Sequence, residues 1–140
     1  MKRTILTFAI LAFGFIHCAA QPQNGPKTLD KRDLVTREWN TEVATNVKFL
    51  DHETIYDSEG RKIQETEYTK LGKLWTKKFE YGPDGKMTRE LTYNGKGKLD
   101  SIQKFEYNEF GKKKTVYTYD AKGKLTKVKV IEYQFREHAD

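Results

Sequence analysis

One turn recurs six times along this chain, and it constrains the fold more than any other feature. Each copy is a Tyr, three turn residues, a Gly, and then Lys or Arg. The turns are Asp57-Ser58-Glu59-Gly60, Thr69-Lys70-Leu71-Gly72, Gly82-Pro83-Asp84-Gly85, Asn94-Gly95-Lys96-Gly97, Asn108-Glu109-Phe110-Gly111 and Asp120-Ala121-Lys122-Gly123. A polar first residue and a fourth-position Gly suit a type I turn closed by a bulge, where Gly takes positive φ. In Gly82-Pro83-Asp84-Gly85 the proline also presets φ at the second position.

The glycines are 12, 13, 12, 14 and 12 residues apart, so the true repeat is a two-strand hairpin of 25 or 26 residues. Phe79–Leu99 and Phe105–Leu125 share 11 of 21 positions at an offset of 26. The stretches between turns are rich in Tyr, Phe, Thr, Val and Lys and have no helical period. The spacing therefore predicts an all-β antiparallel meander of seven or eight strands, either a curved single sheet or a partly closed barrel. Strands are expected near 33–41, 46–56, 62–68, 73–81, 87–93, 98–107, 113–119 and 125–135.

Tyr119-Asp120-Ala121-Lys122-Gly123-Lys124-Leu125 and Tyr56-Asp57-Ser58-Glu59-Gly60-Arg61 resemble the YD repeat of RHS proteins. They are also similar to the MORN-variant repeats of small exported bacterial proteins. The likeness covers about residues 55–133, and the other turns lack Asp after Tyr. It implies β-hairpin repeats and an extracellular or envelope role, often binding. RHS shells enclose toxins with many more repeats than this chain has, so encapsulation is not implied.

The repeat gives an expected register. A bulged turn of this kind sets the residue four before Gly opposite the residue two after it. Tyr81 would face Met87, Phe79 would face Arg89, Lys77 would face Leu91, and Trp75 would face Tyr93. Carried along the chain, that register gathers Trp75, Phe79, Tyr81, Met87, Leu91, Tyr93, Leu99, Phe105, Tyr107, Tyr117, Tyr119, Leu125, Ile131 and Tyr133 on one face. Glu80, Thr92, Glu106 and Thr118 would lie on the other. The 13-residue unit breaks the alternation, which predicts a bulge within residues 73–79.

An aromatic face has two readings. As core, it is buried against the rest of the sheet, the Trp39 segment or another subunit, with Lys and Arg stacked on the rings. As a partly open groove, its rings stack on sugar rings while Lys77, Arg89 and Lys129 take carboxylates or sulfates. The candidate ligand-binding residues are then Trp75, Lys77, Phe79, Tyr81, Arg89, Tyr93, Phe105 and Lys129. The alternative is a self-associating scaffold or protein–protein interaction module, a homo-oligomer included, that buries the same face.

The N-terminus reads as an export signal. Lys2 and Arg3 precede the uncharged run Thr4 to Ile16, too short for a comfortable transmembrane span. Cys18 and Ala20 are small enough for cleavage before Gln21, and Cys18 also stands as a lipidation site of the bacterial lipoprotein type. Residues 1–20 are thus expected to be removed or anchored, 21–32 to form a flexible tether, and 33–140 to form the repeat domain. Cleavage takes two of 26 basic residues and none of 20 acids, which lowers the net charge from +6 to +4.

These features point to an exported binding or structural module of a Gram-negative envelope, periplasmic, secreted or outer-membrane anchored, rather than to an enzyme. The basic residues alternate with Glu and Thr and form no dense patch. An exported protein does not normally meet intracellular nucleic acid, so a glycan or another envelope polyanion is the more natural partner. His52 and His138 have no further ligands at metal-site spacing, and no metal or cofactor is expected. Neither a Gly-x-Ser-x-Gly motif nor a phosphate loop occurs, and Ser58 and Ser101 are the only serines.

Overall fold

Eight antiparallel strands follow one another in a single open sheet, in the order of the sequence. The computed structural model describes residues 28–136. The expected signal segment, Cys18 and His138 lie outside that range. The strands are β1 (Val35–Glu42), β2 (Val47–Tyr56), β3 (Lys62–Thr69), β4 (Gly72–Tyr81), β5 (Met87–Asn94), β6 (Leu99–Tyr107), β7 (Lys113–Asp120) and β8 (Leu125–Val130). The sheet does not close into a barrel, since β1 and β8 sit at opposite ends of the order. The last strand stops at Val130, earlier than the expected residue 135.

The turn chemistry works as the repeat implies. Asn94 shows it well. Its carbonyl accepts from Gly97 N at 2.8 Å, and its side-chain Oδ1 accepts from the backbone N–H groups of Lys96 and Lys98 at 3.0 and 3.1 Å. Asp57, Asn108 and Asp120 repeat this double side-chain acceptance. Gly97 has φ +76°, a conformation that a residue with Cβ adopts only at a cost. The first turn is the exception: there Asn46 takes the positive φ, at 55°.

The register departs from the sequence-based map. A bulge does occur within residues 73–79, at Leu74, but every hairpin carries one. On each outgoing strand one residue near the turn has no partner: Asp51, Ile63, Leu74, Thr88, Asp100, Lys114 and Thr126. Tyr81 pairs with Met87 as expected, but beyond Thr88 the pairing slips by one. Phe79 then pairs with Glu90, Lys77 with Thr92, and Trp75 with Asn94.

That slip redistributes the side chains, because paired residues share a face and strand neighbours alternate. The first face carries Trp75, Lys77, Phe79, Tyr81, Phe105 and Tyr107, together with Thr92 and Thr118, which the earlier map put on the other side. The second face carries Leu91, Tyr93, Leu99, Tyr117, Tyr119 and Leu125 with Glu80 and Glu106. The rings are thus shared between two faces instead of massed on one.

A single layer leaves little room for a core. Among the described residues, Phe79 is the one buried hydrophobic side chain. Thr54, Thr66, Thr76 and Thr115 are also buried. Thr66 and Thr76 oppose each other on the second face with hydroxyls 3.3 Å apart, a cross-strand pair that satisfies both.

Candidate functional site

A sheet without a second layer must cover its rings with something else, and here lysine and arginine do it. Lys62 lies over Phe79, Lys77 over Trp75, Arg61 over Tyr81 and Lys113 over Phe105, all on the first face. Lys78 covers Tyr93 and Lys104 covers Tyr119 on the second. The aliphatic stems shield ring carbon while the charges stay in water, and the cation gains from the ring face. Such contacts usually occur about once per 70–80 residues. Their density here makes them the main packing device of the sheet.

This roof decides which of the expected binding residues are open to a ligand. Phe79 is 7% exposed and covered, so it is structural. Trp75 is covered by Lys77, whose ammonium is also held 3.1 Å from Glu90. Tyr81 donates its hydroxyl to the Lys62 carbonyl at 2.7 Å, under Arg61. Arg89 and Tyr93 lie on the second face, away from the rest, because of the bulge at Thr88. Arg89 is bound there to Glu80, with Nε 2.8 Å from Oε2.

Phe105 and Lys129 are brought together. Val116 pairs with both, on β6 and on β8, so the two flank it on the first face. They line an open hollow of about 420 Å³ with Lys113 and Lys127. The Lys113 ammonium sits 3.7 Å from the Phe105 ring centre. Burial pushes this lysine below the ordinary value, against a smaller opposite pull from Glu90. No acidic residue lines the hollow, and none of its three lysines is in an ion pair among the described residues. Sequence reasoning missed Lys113 and Lys127 as site residues. Both were within reach of it: the Tyr107–Lys113 pairing follows from the turn rule, and Lys127 shares the face of Lys129, two residues along the same strand.

A second cluster lies further along the first face. His52 stands between two carboxylates, with Nε2 3.2 Å from Glu65 Oε1 and Nδ1 2.8 Å from Glu67 Oε2. Trp75 meets the imidazole edge-on at 6.4 Å and 76°. Lys62 also reaches Glu65, at 2.8 Å, so this cluster is closed upon itself. No group of three His, Cys, Asp or Glu side chains among the described residues is placed to hold a metal ion.

No protein-family model matches the chain, and no curated protein sequence matches it. Among solved structures, one similar chain comes from the crystal structure of a GtfA/B complex bound to UDP and GlcNAc. The likeness has a TM-score of 0.31 and 12% identity, and covers 67% of this chain and 19% of the other.

Proposed function

We propose that this chain is an exported binding module of the bacterial envelope that takes an anionic saccharide in the hollow of Phe105, Lys113, Lys127 and Lys129. The observation that carries this reading is the grouping of three lysines, none of them in an ion pair among the described residues, beside one aromatic ring. Lysines without an ion-pair partner favour a carboxylate or sulfate, and the ring offers a sugar an apolar surface to stack on. Burial already disfavours the charged form of Lys113, and a bound anion relieves that penalty. The N-terminal signal and the likeness to YD repeats support the envelope location.

The test is binding of uronic-acid or sulfated oligosaccharides against their neutral counterparts, by calorimetry. Lys127→Glu together with Lys129→Glu should weaken binding of the acidic forms by tenfold or more. Lys124→Glu, an exposed change in the β7–β8 turn, should leave it within about twofold. Equal loss in both proteins would reduce the effect to net charge and sink the proposal. Phe79→Ala is a poor probe, since its burial makes it a folding variant.

A further inference from the structure

We infer that copies of this chain join head to tail, with β8 of one copy adding β1 of the next, so that the sheet continues across molecules. Among the described residues both end strands leave one edge unpaired, and alternate backbone N–H and C=O groups on such an edge seek a partner. Because the meander has an even number of strands, β1 of a second copy has the direction that a strand after β8 needs. The two faces also stay continuous across such a joint.

The side chains of these two edges complement each other on both faces. On the first face β8 carries Lys127 and Lys129, while β1 carries Glu38, which is exposed and in no ion pair among the described residues. On the second face β8 exposes Val128 and Val130 at 49% and 64%, while β1 exposes Val35 and Trp39 at 41% and 52%. One antiparallel register sets Lys129 against Glu38 and, at the next residue, Val128 against Trp39, while Val130 falls opposite Arg37. Opposite charges and a ring on a β-branched residue are both favourable cross-strand pairs.

The symmetric alternatives are poorer. Pairing β8 with itself about Val128 sets Lys127 against Lys129, like charge on like. Pairing β1 with itself about Glu38 opposes two carboxylates, and pairing it about Trp39 sets ring on ring but leaves Glu38 opposite the neutral Asn40, without the ion pair that Lys129 supplies. The favoured contact is therefore heterologous, and such contacts propagate unless the geometry closes a ring.

Sedimentation velocity over a concentration series tests this with Lys129→Glu and Glu38→Lys, each an exposed substitution on an end strand. The unaltered chain should shift to larger species as concentration rises. Each variant alone sets like charges together and should associate at least tenfold more weakly. An equal mixture of the two should recover association, because each reversed edge then meets its complement. A chain that stays monomeric at high concentration would overturn the inference. So would Lys129→Glu associating more strongly by itself, which is the behaviour of a symmetric β8 pair. Lys129 belongs to both the hollow and the edge, so the two readings are separated at other positions: Glu38→Lys alters the edge but no residue of the hollow, and Lys113→Gln alters the hollow but not the edge.

Discussion

The hydroxyl of Tyr107, at the end of β6, donates to the carbonyl of Met87, at the start of β5, at 2.7 Å. Tyr81 makes the equivalent bond to Lys62 and Tyr133 to Lys113, at 2.7 and 2.8 Å. These tyrosines stand 26 residues apart and share one end of the sheet. Each ties the end of one hairpin to the beginning of the strand beside it. Tyr81 and Tyr107 are thus stitches between hairpins as well as turn markers.

Tyr107→Phe should therefore cost about 0.5–1.5 kcal/mol, the usual net worth of such a bond. Tyr119→Phe is the control. Its ring lies on the second face, and its hydroxyl has no hydrogen-bond partner among the described residues. That change should stay within about 0.5 kcal/mol. Urea denaturation of the two variants decides it, and equal midpoints would remove the stitch from the account.

The burial of two of these tyrosines sets an alkaline limit. Burial holds the hydroxyls of Tyr81 and Tyr107 above the ordinary tyrosine value. A raised folded-state value stabilises fully below the unfolded pKa, about 10. That contribution is lost as pH climbs through the folded value. Lys113 runs the other way: its lowered value penalises the fold at neutral pH, and the penalty lifts as pH approaches about 10.4. Stability measured from pH 8 to 12 should fall above about pH 10, less steeply in Tyr107→Phe and more steeply in Lys113→Gln.

The positions of the strands were legible because the Tyr-to-Gly turn fixes where each one starts and stops. The faces were not, and the reason is physical. The seven unpaired residues Asp51, Ile63, Leu74, Thr88, Asp100, Lys114 and Thr126 share no size, charge or shape. The bulge belongs to the backbone beyond the turn, and only the 13-residue unit exposed one by breaking parity. The lysine roof was equally hidden, since a lysine on a strand reads as a solvated residue until its neighbour across the sheet is known. Phe105 and Lys129 were found as site residues because they stay on one face in either register. Arg89 and Tyr93 were misplaced because a single slipped pair separates them from Phe79.

Gly95 marks the close passage of neighbouring turns. A Cβ built there would fall on the carbonyl of Lys73, which is backbone and cannot swing aside. Gly95→Ala should cost about 1–3 kcal/mol as an overpacking change. The equivalent place in the last turn already holds Ala121. Ala121→Gly should change little, and comparable losses at the two sites would argue against the contact with Lys73.

The roof over Phe79 makes the last prediction. The Lys62 ammonium lies 4.9 Å from the ring centre and 2.8 Å from Glu65. Its stem lies beside Phe79, the one buried hydrophobic side chain among the described residues. Lys62→Met retains the stem and removes the charge, so it should lose about 0.5–1 kcal/mol, the usual worth of an exposed cation–π contact. Lys62→Ala removes both and should lose more, with a larger rise in exposure of the ring. If the two variants unfold at the same urea concentration, the stem contributes nothing. The shielding of Phe79 would then have to come from the sheet alone.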